Sequence, residues 1–433
     1  MGGEWRDVFL EDVAAEMTVG HVGPMASQYV SEGVPFLRSQ NVDPLRINDT
    51  DLKFITAEFH DRLRKSSLSP GDVVIVRTGK PGACAVVPAT LPVANCSDLV
   101  IVRCGEELEP RFLAYYVNSA AAHHVGAHLV GAVQQHFNVG SARRIHLRLP
   151  SLAEQRCISH VLGTLDDKIE LNRRMSETLE AMARALFRSW FVDFDPVRAK
   201  VDDRDTGLPS QVAHLFPDRL VYSELGEIPE AWPLSRLGQE VITVLGGTPS
   251  RNVAEYWRGD IPWINSGKAN EFRIIKPTEY ITRSGLESSA TKMLPTRTTV
   301  IAITGATLGQ ISLTELETCA NQSIVGVLGS ERLPSEFLFF WTKEHVADLL
   351  AWQTGGAQQH INKNNVNDLR LLCPPQPVMN SYVAMTRPAF DRIRDCCVEA
   401  NTLASLRDTL LPKLISGELR VRDAEILLER TTA

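Results

Sequence analysis

Gln134-Gln135-His136-Phe137-Asn138 is answered, 224 residues further on, by Gln358-Gln359-His360-Ile361-Asn362. Working outward, Phe112-Leu113 returns as Phe337-Leu338, Ala94-Asn95 as Ala320-Asn321, and Thr78-Gly79 as Thr304-Gly305. Nearer the start, Trp5, Leu10, Pro35, Leu37 and Ser39 meet Trp232, Leu237, Pro262, Ile264 and Ser266 at an offset of 227, so the register drifts only by small gaps. A period this long exceeds that of any stacked solenoid repeat and means two copies of one whole domain, plus whatever joins them. One job done at two places is the simplest reading.

A chain of 433 residues has room for two such halves. Apolar content of 44% and charged content of 22% describe an ordinary globular protein able to bury sizeable cores. The net charge of -7 gives no overall electrostatic reason to expect a free-standing nucleic-acid binder, so an anionic ligand must meet local basic patches or a basic partner. The eight cysteines are scattered without a C-x-x-C pair, which predicts neither zinc site nor disulfide framework and places the chain in a reducing cytoplasm. No apolar run reaches the roughly 18 residues a membrane span requires.

Within each copy, short β-like runs (Asp72-Val73-Val74-Ile75-Val76, Leu99-Val100-Ile101-Val102; Thr299-Val300-Ile301-Ala302-Ile303, Ser323-Ile324-Val325-Gly326-Val327) lie between Gly and Pro turns. One helix follows in each, from Arg111 to about His124 and from Ser335 to about Leu350. Ser151-Leu152-Ala153-Glu154 has the S-x-x-E form of a helix-start capping box. Beyond it, Ile158, Leu162, Leu165, Ile169, Leu179, Leu186 and Trp190 fall on alternating three- and four-residue steps, with Asn172 and Ser176 as a polar centre. Ile393, Ala400, Leu403, Leu410 and Leu414 continue such a stripe in the second copy, with Gly417 placed as its cap. Gly163-Thr164 and Arg387-Pro388 are expected to break these helices, Pro412 to kink the second, and Asp195-Pro196 to close the first. The Asp-, Gly- and Pro-rich stretch from Lys200 to Glu230 reads as a linker that crosses the molecule.

The predicted class is α+β: two similar mixed α/β domains separated by a pair of long antiparallel coiled-coil helices, related by a pseudo-twofold internal repeat. The divisions are 1–150 and 226–374 for the domains, 151–197 and 375–420 for the helical regions, 198–225 for a linker, and 421–433 for a tail. A helix from about 165 to 191 measures roughly 40 Å at about 1.5 Å per residue. One turn of B-DNA is about 34 to 36 Å, so two domains at the helix ends would fall about a turn apart.

The capped helix after each domain, the paired Gln-Gln-His-x-Asn segments, Trp190-Phe191-Val192-Asp193-Phe194-Asp195-Pro196-Val197, Asp205-Thr206-Gly207-Leu208-Pro209 with Glu224-Leu225-Gly226-Glu227-Ile228-Pro229, and the ending Leu410-Leu411-Pro412-Lys413-Leu414-Ile415-Ser416-Gly417-Glu418-Leu419 occur in order across almost the whole chain. Together they resemble the specificity (S) subunit of type I restriction-modification systems. That resemblance implies a non-catalytic subunit with two target-recognition domains, each reading one half of a split site in double-stranded DNA. The helices would serve as a ruler and as docking surfaces for two modification (M) subunits that methylate adenine with S-adenosylmethionine. Restriction (R) subunits using ATP and Mg would complete the enzyme, which serves anti-phage defence.

The duplication itself sorts candidate DNA-binding residues. A side chain identical in both copies cannot distinguish two different half-sites, so it holds the fold or touches phosphate. Gln134, Gln135, His136 and Asn138 form that group, with Gln358, Gln359, His360 and Asn362. Thr78-Gly79 and Thr304-Gly305, with Thr307, lie in glycine loops whose backbone N–H groups can approach a phosphate or simply turn the chain. Side chains that differ are better placed to read bases: Arg38, Gln40 and Asn41 against Asn265, Gly267 and Lys268, with Ser266 between them, and Arg77 and Lys80 against Ile303 and Ala306. Arg143, Arg144 and Arg148 form a basic run matched weakly by Lys363 and Arg370. For each of these, a solvated loop is the bland alternative.

Catalytic motifs are missing. There is no G-x-x-x-x-G-K-[ST] phosphate loop and no Asn-Pro-Pro-aromatic segment of the kind adenine methyltransferases use. Asp72 and Lys80 read as turn and solvent residues. His123, His124 and His128 lack the intervening Glu of an H-E-x-x-H metal site and read as a surface cluster, so no metal is expected. A rival class remains open at this point: a duplicated coiled-coil scaffold that binds protein alone, which the acidic net charge favours.

Overall fold

The computed structural model describes residues 5–120, 137–352 and 360–424. The chain divides into two compact units, residues 1–169 with 402–433 and residues 170–401.

In the first unit, the run Val73–Val76 is buried at every residue because it is covered on both faces. Val73 and Ile75 face a core shared with the helix Pro110–Asn118, while Val74 and Val76 face a second core. The neighbouring strand Leu99–Cys104 splits in the same way, Val100 and Val102 to one side, Leu99 and Ile101 to the other. This is the period-two alternation of a sheet interior to three layers, and it explains why these strands read as unbroken apolar runs. The sheet is antiparallel in the order Cys84–Val86, Val73–Val76, Leu99–Cys104, Ala14–Val19. A five-stranded sheet lies on its other side, with Val34–Leu37 and Ala94–Cys96 paired in parallel.

The second unit repeats the plan. Its antiparallel sheet runs Ile311–Leu313, Thr299–Ala302, Ile324–Val327, Thr243–Leu245. Ile301, Val325 and Val327 face one core and Val300 and Ile324 the other. Trp257–Ile264 pairs in parallel with Cys319–Ala320, as its counterpart does in the first unit. The expected second helix is two, Ser335–Glu344 and Val346–Ala351, with a break at His345.

Two long helices run Leu152–Phe191 (40 residues) and Gln376–Ser416 (41 residues). At the start of the first, the Ser151 hydroxyl accepts from the Glu154 N–H at 3.3 Å. The break expected at Gly163 is absent. A Cβ there would stand 2.5 Å from Nη1 of Arg111, so this glycine serves close packing rather than a helix end. The second helix likewise passes through Pro388 and Pro412. Both prolines are exposed, on the side where water can meet the carbonyl each one frees. Gly417, at φ +76, ends it as expected. The first helix closes at Phe191, and after a left-handed Phe194 a short helix begins at Asp195.

The helices are antiparallel within each unit. In the first, Asp166 pairs with Arg407 at 2.6 Å and Glu154 lies 3.8 Å from Arg420. Ile158, Leu162, Leu165, Leu403, Leu410 and Leu414 share its buried core. In the second, the buried Asn172 donates to Glu399 at 2.8 Å, and the Phe187 and Tyr382 rings are 6.4 Å apart. Ser176, also buried, donates to the Asn172 carbonyl, which forms the polar centre of the seam. Ile393 is buried, whereas Ile169, Leu179, Leu186 and Ala400 are half-buried. Phe187, Phe390 and Tyr382, which lie off the a/d stripe, are among the largest fully buried side chains. They pack with Trp190, Trp232, Phe337 and Phe340, because each helix also serves as the third layer of its domain.

The stretch from Lys200 to Glu230 does not cross. It is folded into the second unit, where Phe216 packs on Trp190 at 5.0 Å and Leu220–Ser223 pairs with Gly226–Pro229 as a hairpin.

A buried ionic cluster ties helix to domain in this unit. The fully buried Arg273 donates to Glu180 of the long helix at 2.6 Å, and Lys343 donates to the same carboxylate at 2.8 Å. The Arg273 guanidinium also lies over Phe339 at 4.6 Å. Burial works against the Glu180 charge, but Arg273 and Lys343 overcome it and hold its pKa below the ordinary value. Glu315, 3.7 Å from Nε of Arg273, receives no hydrogen bond from it, and burial pushes its carboxyl up to about 7. The two groups act oppositely on stability. Glu180 contributes above its unfolded value near 4.5, and that contribution is lost as pH falls through its folded value. The neutral Glu315 favours folding below 4.5, and this is lost as pH rises toward about 7, at about 1.4 kcal/mol per pH unit. Melting temperature followed from pH 4.5 to 7.5 is expected to lose this descending component in Glu315→Gln; an unchanged profile would place the proton elsewhere.

Candidate nucleic-acid interface

The repeated segments meet at the ends of the central strands. Phe137 N–H donates to the Arg77 carbonyl at 2.9 Å, and Ile361 N–H donates to the Ile303 carbonyl at 3.0 Å. Gly20 N–H donates to Leu99 at 2.8 Å and Gly246 N–H to Ile324 at 3.0 Å, while Ile303 N–H donates to Ser323 at 2.9 Å as Arg77 N–H does to Asp98 at 3.4 Å. The backbone frame is thus the same in both copies. Asn138 and Asn362 each cap a short helix, accepting from Ser141 N–H and Asn365 N–H. Their shared identity is explained by that cap. Gln134, Gln135, His136, Gln358 and Gln359 lie outside the described residues, as do His123, His124 and His128. His360 makes a backbone bridge to Thr304.

On this common frame the side chains differ. In the first copy, Arg38 donates to Asp51 Oδ2 at 3.0 Å, and Gln40 donates to the same oxygen at 3.3 Å. Lys53 and Arg38 hydrogen bonds draw the Asp51 carboxyl down to about 2. Arg77 donates through Nε to the Phe137 carbonyl at 3.2 Å and approaches Asp98 at 3.5 Å. Asp98 also accepts from the hydroxyls of Thr78 and Ser39. Lys80 pairs with Asp43 at 3.0 Å, and Gly79 turns at φ +82 with open space around it. Arg143 and Arg144 are exposed, with no ion partner among the described residues. Arg148 lies over Trp5 at 5.8 Å.

Asn41 is a correction. It is 0% exposed, its amide donates to the carbonyls of Asn48 and Thr50, and its oxygen accepts from Arg38 N–H. A side chain so enclosed shapes the loop that carries Arg38 and Gln40, and cannot reach a duplex.

In the second copy, Asn265 Oδ1 accepts from Gly267 N–H at 3.0 Å, capping a turn from Ser266 to Asn270. Lys268 pairs with Glu271 at 2.7 Å. Thr304, Gly305 (φ +69) and Thr307 form a tight turn, and Lys363 is half-buried. The Arg77–Asp98 pair has become Ile303 and Ser323, a charged cluster in one copy and an uncharged one in the other.

Sequence reasoning missed the acids. Asp43, Asp51 and Asp98 pair with Lys80, Arg38 and Arg77 of the first copy, so much of the local basic charge is balanced within the chain. It also missed the loops that begin at Gly20 and Gly246. The signal was a pair of glycines 226 residues apart: a Cβ on Gly246 would fall 2.1 Å from the Asn321 carbonyl, and one on Gly20 2.9 Å from Cys96 Sγ. Among the described residues, no group of three or more His, Cys, Asp or Glu is placed to hold a metal, and no helix is long and apolar enough to cross a membrane.

The sequence profile of the type I restriction modification DNA specificity domain matches residues 3–181 and again residues 229–378. The chain is 27% identical over 326 residues to the type I restriction enzyme HindI specificity subunit of Haemophilus influenzae, covering 64% of this chain and 70% of that one. It is 24% identical over 285 residues to the MjaIX specificity subunit of Methanocaldococcus jannaschii, covering 65% and 62%. The crystal structure of the type I restriction-modification system S subunit from M. genitalium shares the fold, with a TM-score of 0.57 at 13% identity over 95% of this chain and 96% of the other. With the profile matched twice, on the two copies whose frames coincide, the chain belongs to the type I restriction modification DNA specificity family.

Proposed function

We propose that this chain is the DNA-reading subunit of a type I restriction-modification enzyme, and that each recognition domain reads one half of a bipartite duplex site. One observation carries the reading: two matches to a DNA specificity domain, with the same backbone frame in both copies and different side chains upon it. Identical frames position the domain, and divergent side chains supply two different readouts. The long helices set the unspecified gap and dock two M subunits, which carry S-adenosylmethionine and supply basic surface that this acidic chain lacks. R subunits bring ATP and Mg. The family match disfavours the scaffold that binds protein alone.

In the first domain Arg38, Gln40, Arg77 and Lys80 are the base-reading candidates; Asn265 and Lys268 are theirs in the second. Thr78, Gly79, Thr304 and Gly305 offer backbone N–H groups to phosphate, and Arg143 and Arg144 are further phosphate candidates in the first domain. Exchanging residues 1–150 for the first domain of another family member is expected to alter one half of the methylated sequence and leave the other half unchanged. Methylation mapping in a host that lacks its own system reads this directly. A change in both halves, or in neither, overturns the division of labour.

A further inference from the structure

We propose that Arg251 is the guanine-reading side chain of the second recognition domain, an inference that rests on the DNA-reading function above. Arg251 stands on the loop that leaves Gly246-Gly247, and its guanidinium lies 3.6 Å over the Trp257 ring and 5.3 Å from Trp263. Its Nη1 and Nη2 both donate to Glu279, each at 2.8 Å. One edge of the fork is therefore spent and its plane is set by the indole beneath. The other edge, Nε–H with an outer Nη–H, has no acceptor among the described residues, and the side chain is 53% exposed.

That leaves two parallel donors, held in one rotamer and facing solvent. They match the paired O6 and N7 acceptors that guanine shows in the major groove. A phosphate is the poorer fit. The Glu279 carboxylate cancels the arginine charge that would draw a phosphate and repels that anion, whereas a base edge is neutral and needs donor geometry.

The repeat supplies an independent argument. Trp257 stands opposite Ile281 as Tyr29 stands opposite Ile55, each directly after a short turn, so Tyr29 is its counterpart; Glu279 is matched by Lys53, and the residues that match Arg251, Gly23 to Met25, include no arginine. The loop is joined to the candidate interface by two hydrogen bonds, Thr248 to Gln322 and the Trp263 indole N–H to the Gly247 carbonyl. The common frame thus keeps an aromatic ring in both copies, while the arginine and the carboxylate stand at these positions in the second copy alone. The first copy covers the same aromatic position with an arginine from another loop, Arg38, which is paired to Asp51 and lies 6.0 Å from the Tyr29 ring. Two readers with the same design at different places would place their guanine contacts at different steps of the two half-sites.

The test uses the full chain in complex with its M subunits, mapping methylated sites genome-wide and then measuring methylation rates on duplexes substituted one base pair at a time. Arg251→Ala is expected to relax one G·C pair in one half-site, with discrimination there falling roughly 5- to 150-fold. Arg251→Lys should not rescue it, because an ammonium lacks the paired donors. Unchanged thermal melting of both variants would show that the fold is intact. A uniform loss of rate on every duplex, restored by lysine, would identify a phosphate contact and overturn the proposal, as would an unaltered motif. A wild-type complex with no two-part motif would overturn the DNA-reading function itself, so the two failures are distinguishable.

Discussion

Glu180→Ala is expected to destabilise the second unit by about 3 kcal/mol, the lower end of the roughly 3–5 kcal/mol that follows removal of one partner from a buried ion pair. The substitution leaves Arg273, whose side chain is 0% exposed, without the carboxylate it donates to at 2.6 Å, and Lys343 loses its partner as well. Glu315, 3.7 Å from the same guanidinium, takes up part of the charge and keeps the cost from the upper end. Its own carboxyl, pushed up to about 7 by burial, should then ionise more readily. Chemical unfolding followed by Trp fluorescence measures the loss. A cost below about 1 kcal/mol would mean that the clamp between helix and domain does not depend on this pair. Replacing Arg273 with Met and Glu180 with Leu together should recover most of the loss, since two charges leave the interior at once.

Lengthening both long helices by four residues, after Asn172 in one and after Cys396 in the other, should widen the unspecified gap in the target by one to two base pairs. Four residues add about 6 Å of helix, and successive base pairs are about 3.4 Å apart. The bases read in each half should stay the same, because no recognition loop is touched. The insertion also advances the seam by about 40°, so a seven-residue insertion, which keeps the 3.5-residue phase, should be better tolerated. Methylation mapping decides it: a gap unchanged in length would show that something other than these helices sets the spacing.

Much of this architecture was legible from one chain. The central strands declared themselves as continuous apolar runs such as Val73–Val76 because they are buried on both faces, and the duplication doubled every such signal. The helix boundaries at Ser151 and Gly417 were readable because caps are local chemistry. Gly163 and Pro388, read as helix breaks, misled for the same reason. Each has a local tendency to interrupt a helix; at Gly163 the close approach of Arg111 accounts for the residue, and at Pro388 exposure lets water meet the freed carbonyl. The path of residues 200 to 230 was misjudged because a polar composition conceals the few anchors, Phe216 above all, that dock it on Trp190.

At the candidate interface the division is sharper. Which residues recur and which differ is a property of the sequence, and it marks candidates for frame and for readout. Whether a polar side chain faces solvent depends on neighbours distant in the chain. Asn41 and Arg251 show it in opposite senses. Asn41, chosen for a role on DNA, is enclosed by the carbonyls of Asn48 and Thr50. Arg251, unremarked in the sequence, is aimed by Glu279 and Trp257. Periodicity and repetition are set by bonding along the backbone and by the apolar pattern it must bury, so they can be read from the chain alone. The direction of a loop side chain is set by partners that only folding brings together, and that part belonged to the tertiary structure.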